Sequence, residues 1–275
     1  MASSEGLYVS LRIAEPTVKT YHNKPYPGIL PTRPELSQAG RTVLVAGGTT
    51  GIGYNIALSF IQASAAHVIV LSRRQSAVDK AVADLNAEAK SLNLPGKASG
   101  YAIDVSDRQA NDKLWDDLQA QGVHVDVLSY NAAGITPFGP LIEADLDGVS
   151  KTMDLNAIAL LQHAQRLYRQ QGLGGEELGG KKHYIVNTTT SAIHRTDYEA
   201  TGAPVYPMSK SAGLMMMNLV ARDVDPSKLQ IVSFNPGSIY TETAASAGYG
   251  PEMTYDDRTF FRSYSVVLGY DLTLT

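Results

Sequence analysis

From residue 41 onward, short apolar runs alternate with longer amphipathic stretches. The runs at 42–46, 67–71, 125–130, 184–187 and 230–234, with a weaker one at 99–105, have the length and β-branched content of buried strands. Between them, 52–65, 75–92, 107–121, 146–171 and 206–222 are of helical length and spacing. Strands alternating with helices predict parallel strands joined by right-handed crossover helices. The expected class is therefore α/β, a single doubly wound parallel sheet with helices on both faces. Ligands of such sheets bind beyond the carboxyl ends of the strands, so functional residues are expected just after each strand.

Residues 1–40 break this rhythm. Five of the chain's 13 prolines lie there, at Pro16, Pro25, Pro27, Pro31 and Pro34. Proline fixes φ and removes a backbone donor, so 1–40 is expected to be an arm running over the surface and 41–275 one domain. The glycine-rich stretch 172–180 reads as a surface loop.

Composition narrows the chemistry. With 44% hydrophobic and 18% charged residues the chain is an ordinary globular one, not a disordered or fibrous one. It has no cysteine, which removes disulfides, thiolate metal sites and cysteine nucleophiles. A formal net charge of -4 argues against nucleic acid as a partner and leaves a small molecule. No apolar stretch has the length of a membrane span and the first residues lack a secretory pattern, so a cytoplasmic location is expected.

Directly after the first strand stands Gly47-Gly48-Thr49-Thr50-Gly51-Ile52-Gly53, opening an apolar helix. Gly47 permits a tight turn, Gly51 lets backbone approach a pyrophosphate, and Gly53 lets the helix pack on the strand while its amino end faces the anion. Strand, glycine turn and helix in this order make a Rossmann-type dinucleotide site. About 20 residues on, an acid would bind a ribose hydroxyl; the chain offers Arg73 and Arg74, which favour the 2′-phosphate. NADP(H) is the expected cofactor, with NAD(H) second.

These features resemble the short-chain dehydrogenase/reductase family, whose cofactor turn reads Thr-Gly-x-x-x-Gly-x-Gly. Here Ala46 replaces the threonine and all three glycines match. Asn131-Ala132-Ala133-Gly134 is similar to the family's Asn-Asn-Ala-Gly after the fourth strand. Asp104-Val105 resembles its adenine-contacting pair, Asn156 its helix asparagine, and Tyr206-Pro207-Met208-Ser209-Lys210 its Tyr-x-x-x-Lys pair. Pro236-Gly237, followed by Thr241, resembles the Pro-Gly-x-x-x-Thr element beside the nicotinamide. The agreement in order and spacing runs over about residues 41–243, and the arm resembles that of fungal members.

The resemblance implies an oxidoreductase that interconverts a ketone or aldehyde and an alcohol. Reduction of a carbonyl leaves an oxygen that needs a proton, and Tyr206 is the implied acid/base. A nearby Lys210 cation favours the phenolate and is implied to hold the nicotinamide ribose. The substrate-orienting hydroxyl falls on Thr190 by strict register, with Ser191 second. Asn156 is similar to the asparagine that holds a relay water. In the loop 192–205, His194, Asp197 and Glu199 read as solvated rim charges, and no metal is expected. Met208, Met215, Met216 and Met217 are expected in a core or subunit interface. Residues 264–268 are expected to form a short last strand. The outer faces of 107–121 and 146–171 are expected to pair in a homodimer or homotetramer. The rival reading is a nucleotide-binding protein of the same fold without turnover, serving regulation or assembly.

Overall fold

The computed structural model describes residues 26–170, 181–194, 202–237, 239–242 and 245. The expected strand at 264–268, the loop 172–180, and Asp197 and Glu199 lie outside them. Six strands are present: β1 (Thr42–Ala46), β2 (His67–Ser72), β3 (Lys97–Ala102), β4 (Val127–Tyr130), β5 (His183–Thr188) and β6 (Leu229–Phe234). They form one sheet in the order β3-β2-β1-β4-β5-β6, every neighbouring pair parallel. The order reverses between β1 and β4, which opens a crevice at their carboxyl ends.

Helices α1 (Gly51–Gln62), α2 (Gln75–Ser91), α3 (Arg108–Ala120), α4 (Leu146–Met153), α5 (Ala159–Tyr168) and α6 (Val205–Asp223) connect the strands. Alternation along β1 divides the core between the two faces. Val43 and Val45 pack with Ile56 and Phe60 of α1 and Leu85 of α2. Leu44 and Ala46 face the other layer, with Trp115 of α3, Leu160 and Ala164 of α5, and Met217 of α6. Both faces of β1 are covered, which is why its sequence is a continuous apolar run rather than an alternating one.

The helix expected over 146–171 is interrupted. Asp154–Ile158 forms a π-helical turn between α4 and α5, and α5 stops at Tyr168. The wider turn lies against α6 at Gly213, where an added methyl group would come within 2.8 Å of the Asn156 carbonyl oxygen. The fourth strand begins at Val127, two residues later than expected, and the third spans 97–102 rather than 99–105. Beyond it Asp104 turns the chain, its Oδ1 accepting from the Ser106 amide and hydroxyl at 3.0 and 2.7 Å.

The outer face of α3 is not apolar: Asp112, Lys113, Asp116 and Asp117 occupy it. Exposed apolar side chains instead include Leu146 on α4 and Met208, Met215 and Leu219 on α6, while Met217 is buried and Met216 partly so. Within the arm, Pro27–Ile29 and Pro34–Leu36 form 3-10 turns that bury Ile29 and Leu36, and the Gln38 amide donates to Ala63 at the end of α1. Among the described residues no helix is long and apolar enough to cross a membrane.

Candidate active site

The crevice is built first from backbone. The amides of Gly47 and Gly48 both donate to the Leu71 carbonyl, at 3.0 and 3.2 Å, so the chain leaving β1 is held to the end of β2. Gly47 has φ 74°, and a methyl group there would meet the Ala132 backbone at 2.9 Å. At Gly53 the crowding is greater: a methyl group would lie 2.0 Å from the Gly47 oxygen and 2.8 Å from Asn131 Nδ2. Side chains cannot enter this turn. Thr241 lies over it, 3.4 Å from where a methyl group on Gly51 would stand.

Thr50 caps α1 without a side-chain hydrogen bond, so the amides of the first turn face outward unsatisfied by the cap. Thr49 is half-buried and Ile52 packs against the core beneath the turn. Asn131 closes the other wall, its amide donating to the Ala46 carbonyl at 3.0 Å. Arg73 and Arg74 follow β2 and are exposed. Neither makes an ion pair or side-chain hydrogen bond among the described residues. Asp104 is exposed at the end of β3, whereas the Val105 side chain is core, with Leu71 and Leu114.

Side chains do more on the β4-β5-β6 side. Asn156, buried on the π-helical turn, accepts from the Gly134 amide and donates to its carbonyl, both at 2.8 Å, and donates to Ser209 Oγ at 2.8 Å. Ser209 in turn donates to the Tyr206 carbonyl at 2.8 Å. The loop after β4 and the first turn of α6 are thereby fastened to one asparagine. The motif that drew attention to Tyr206 and Lys210 contains Ser209, but nothing in spacing alone marked its role; the only signal was a hydroxyl inside an apolar helix.

Tyr206, half-buried, and Lys210 lie four apart in α6 and so share a face. Lys210 is 4% exposed, and its Nζ donates to the Thr188 carbonyl at 2.5 Å, joining α6 to the end of β5. Burial pushes this ammonium down to about 8. No carboxylate pairs with it among the described residues. Three more polar atoms cluster at the end of β5, where Asn187 Oδ1, Thr188 Oγ1 and Thr189 Oγ1 are buried without a protein partner. Thr190 follows, half-buried, its Oγ1 accepting from the Ala192 amide at 3.3 Å, which leaves its hydrogen free to donate. Ser191 is half-buried at the start of the 3-10 turn Ser191–His194. Beyond β6, Pro236 is half-buried and Gly237 has φ 79°, its amide donating to Asn235 Oδ1 at 3.2 Å.

A nicotinamide dinucleotide fits these residues. The glycine turn is a cradle that a methyl group would fill, the amides that open α1 carry no side-chain cap, and the Lys210 ammonium is buried without a carboxylate among the described residues. Comparison with known proteins agrees. A family model for short chain dehydrogenases matches residues 41–250. A short chain dehydrogenase/reductase of Claviceps purpurea is 30% identical over 259 residues, covering 93% of this chain and 81% of the relative. A short chain dehydrogenase of Pseudocercospora fijiensis is 30% identical over 224 residues, covering 80% of this chain and 66% of the relative. The structure of the Pseudomonas aeruginosa RhlG/NADP active-site complex superposes with a TM-score of 0.70 at 21% identity, covering 86% of this chain and 91% of that one. The chain belongs to the short-chain dehydrogenase family, which has fungal members among its relatives here. It is an NAD(P)-dependent oxidoreductase acting on CH–OH and C=O groups.

Proposed function

We propose that the chain reduces a small ketone or aldehyde, and oxidises the matching alcohol, with NADP(H) as cofactor and Tyr206 as the acid/base. The observation that carries this reading is the buried Lys210 ammonium, held one helical turn from Tyr206 and lacking a carboxylate partner among the described residues. Burying such a cation unpaired costs free energy that a structural lysine has no reason to bear. Its charge favours the phenolate of Tyr206 and so makes the phenol a better proton donor.

When bound, the reduced nicotinamide supplies the hydride that the carbonyl carbon receives. Gly47, Thr49, Thr50, Gly51, Ile52 and Gly53 would hold its pyrophosphate by backbone, with Asn131, Ala132 and Gly134 as the facing wall. Asp104 and Val105 would flank the adenine, and Pro236, Gly237 and Thr241 the nicotinamide side. Lys210 would donate to the nicotinamide ribose. Tyr206 gives its hydroxyl proton to the carbonyl oxygen. Thr190 orients that oxygen by hydrogen bonding, with Ser191 the second choice. Asn156 is spent on holding Gly134 and Ser209 with its side chain, so any part in relaying protons falls to its backbone carbonyl on the π-helical turn. Arg73 and Arg74, exposed and uncommitted, favour the 2′-phosphate of NADP(H) over NAD(H). The exposed Met208, Met215 and Leu219 on α6 support a homodimer or homotetramer built on that helix rather than on α3, and a cytoplasmic location goes with this reading.

The test is a panel of carbonyl compounds assayed with both reduced nicotinamides, in wild type and Tyr206→Phe. Turnover is expected to fall by about 10²–10⁴-fold in the variant with NADPH affinity nearly unchanged. Near-normal turnover where chemistry limits the rate refutes the assignment. Failure of wild type to reduce any carbonyl while it binds NADPH supports the rival, a nucleotide-binding protein without turnover.

A further inference from the structure

The amino ends of β4 and β5, at the opposite edge of the sheet from the crevice, bring together three metal-ligating side chains. One ligand atom each of His124, Asp126 and His183 lies within 4.8 Å of the other two. His183 opens β5 and is fully buried. Asp126 immediately precedes β4 and is 6% exposed. Its Oδ2 accepts from the Thr42 amide at 2.7 Å and its backbone carbonyl from the Tyr184 amide at 3.0 Å, so the carboxylate is tied to β1 and the backbone beneath it to β5. His124 sits half-buried on the preceding loop, its Nε2 2.6 Å from His183 Nε2.

Two ring nitrogens at that distance share one proton, one ring donating and the other accepting. The pair is closed as far as those atoms go, and the buried Asp126 carboxylate lies beside it. Buried carboxylates are ordinarily paired or bound to metal. We propose that His124, Asp126 and His183 form a binding site for a divalent transition metal of the zinc class, with a further position left to water. Two imidazoles and one carboxylate suit zinc, copper or nickel, whereas magnesium and calcium call for oxygen ligands.

The geometry needs one adjustment. Zinc–nitrogen bonds of about 2.0–2.1 Å at a tetrahedral angle separate two ring nitrogens by about 3.3 Å, so the rings must part by about 0.7 Å. His183 is fixed in the sheet and His124, on a half-exposed loop, is the one that moves. Two cations face the site and moderate its affinity. The Arg41 guanidinium is held on the Lys182 carbonyl and over the Tyr184 ring, and the Lys181 ammonium on the Gly40 carbonyl. An open cavity of about 310 Å³ lined by Trp115, His124, Arg166 and Gln170 offers an entry path. Five residue steps along β5 lead from His183 to Thr188, about 16 Å, so the metal would brace the sheet without touching the reaction.

The full chain, stripped with a chelator, is dialysed against zinc chloride and its bound zinc and melting temperature are measured. One zinc per chain and a raised melting temperature are expected. His124→Ala is expected to weaken zinc binding by about tenfold or more, and His194→Ala to leave it unchanged. Should His183→Ala fail to fold, the half-exposed His124 still carries the test. No zinc uptake at micromolar concentration, equal uptake by His124→Ala, or loss in His194→Ala overturns the site. NADPH binding is measured on the same samples, so a failure here stands apart from a failure of the proposed activity.

Discussion

On the β3-β2-β1 side of the crevice the working surface is made by what side chains leave out, and on the β4-β5-β6 side by what they put in. Gly47 and Gly53 serve by admitting backbone within contact distance, and nothing larger fits either place. Across the switch point Asn156 and Lys210 serve by reaching, one to Gly134 and Ser209 and the other to the end of β5. The first half is fixed by local chain geometry and tolerates no added atom. The second is fixed by hydrogen bonds between segments distant in sequence and tolerates no lost one.

The sharpest way to break this contrast is Gly53→Ala. A methyl group 2.0 Å from the Gly47 oxygen cannot be relieved by a rotamer change, since both partners are backbone. The melting temperature is expected to fall by roughly 6–12 °C, the counterpart of about 3 kcal/mol, with NADPH binding lost. Unchanged melting and binding would show that the turn is more pliant than its geometry says.

Lys210→Met tests the other half. Burial lowers the folded ammonium from 10.5 to about 8, so between those values the unfolded chain holds more protons than the folded one. Wild-type stability should therefore rise as pH increases from about 8 to 10.5, by up to about 3 kcal/mol, because the cost of the buried charge is relieved. The variant is expected to lack this rise and to lose activity. Denaturant titrations at several pH values decide it; equal slopes in the two proteins would mean the ammonium is not desolvated.

Arg73→Ala sharpens the comparison, since it asks whether the β1-β2 half has any side chain that reaches a ligand. Loss of a charge-assisted contact of about 1.5–3 kcal/mol should weaken NADPH tenfold to a hundredfold and barely affect NADH. Paired titrations of both cofactors check this, and equal losses would make the arginine a bystander. The smallest effect is expected at the end of β5. Thr190→Val should lower kcat/KM by about tenfold and Ser191→Ala by less than that, and the reverse order would move the orienting role to Ser191.

The same contrast explains what could be read from sequence. The glycine turn, the arginines after β2 and the parallel sheet all announce themselves through spacing and local pattern, and the structure places them accordingly. The boundaries of β3 and β4 were less legible because an Asx turn at Asp104 and a carboxylate bridge from Asp126 to Thr42 decide them. Neither the Ser209 link nor the His124, Asp126 and His183 group has a local signature. Each depends on residues more than 50 positions apart meeting only after the sheet is assembled.

The five-residue π-helical turn has a consequence for how this chain can change over time. Each residue added to or taken from a helix rotates everything beyond it by about 100°. Removing one residue from 154–158 would restore an uninterrupted helix but swing α4 out of phase with α5. Thr152, which now hydrogen bonds the Thr136 carbonyl, would then face elsewhere, and the loop after β4 would lose one of its anchors. Apart from Asn156, replacing a side chain in this turn alters its own contacts, whereas changing the turn's length re-aims a wall of the crevice. Relatives that share the site should therefore keep Asn156 and the length of this segment while its other letters vary more freely.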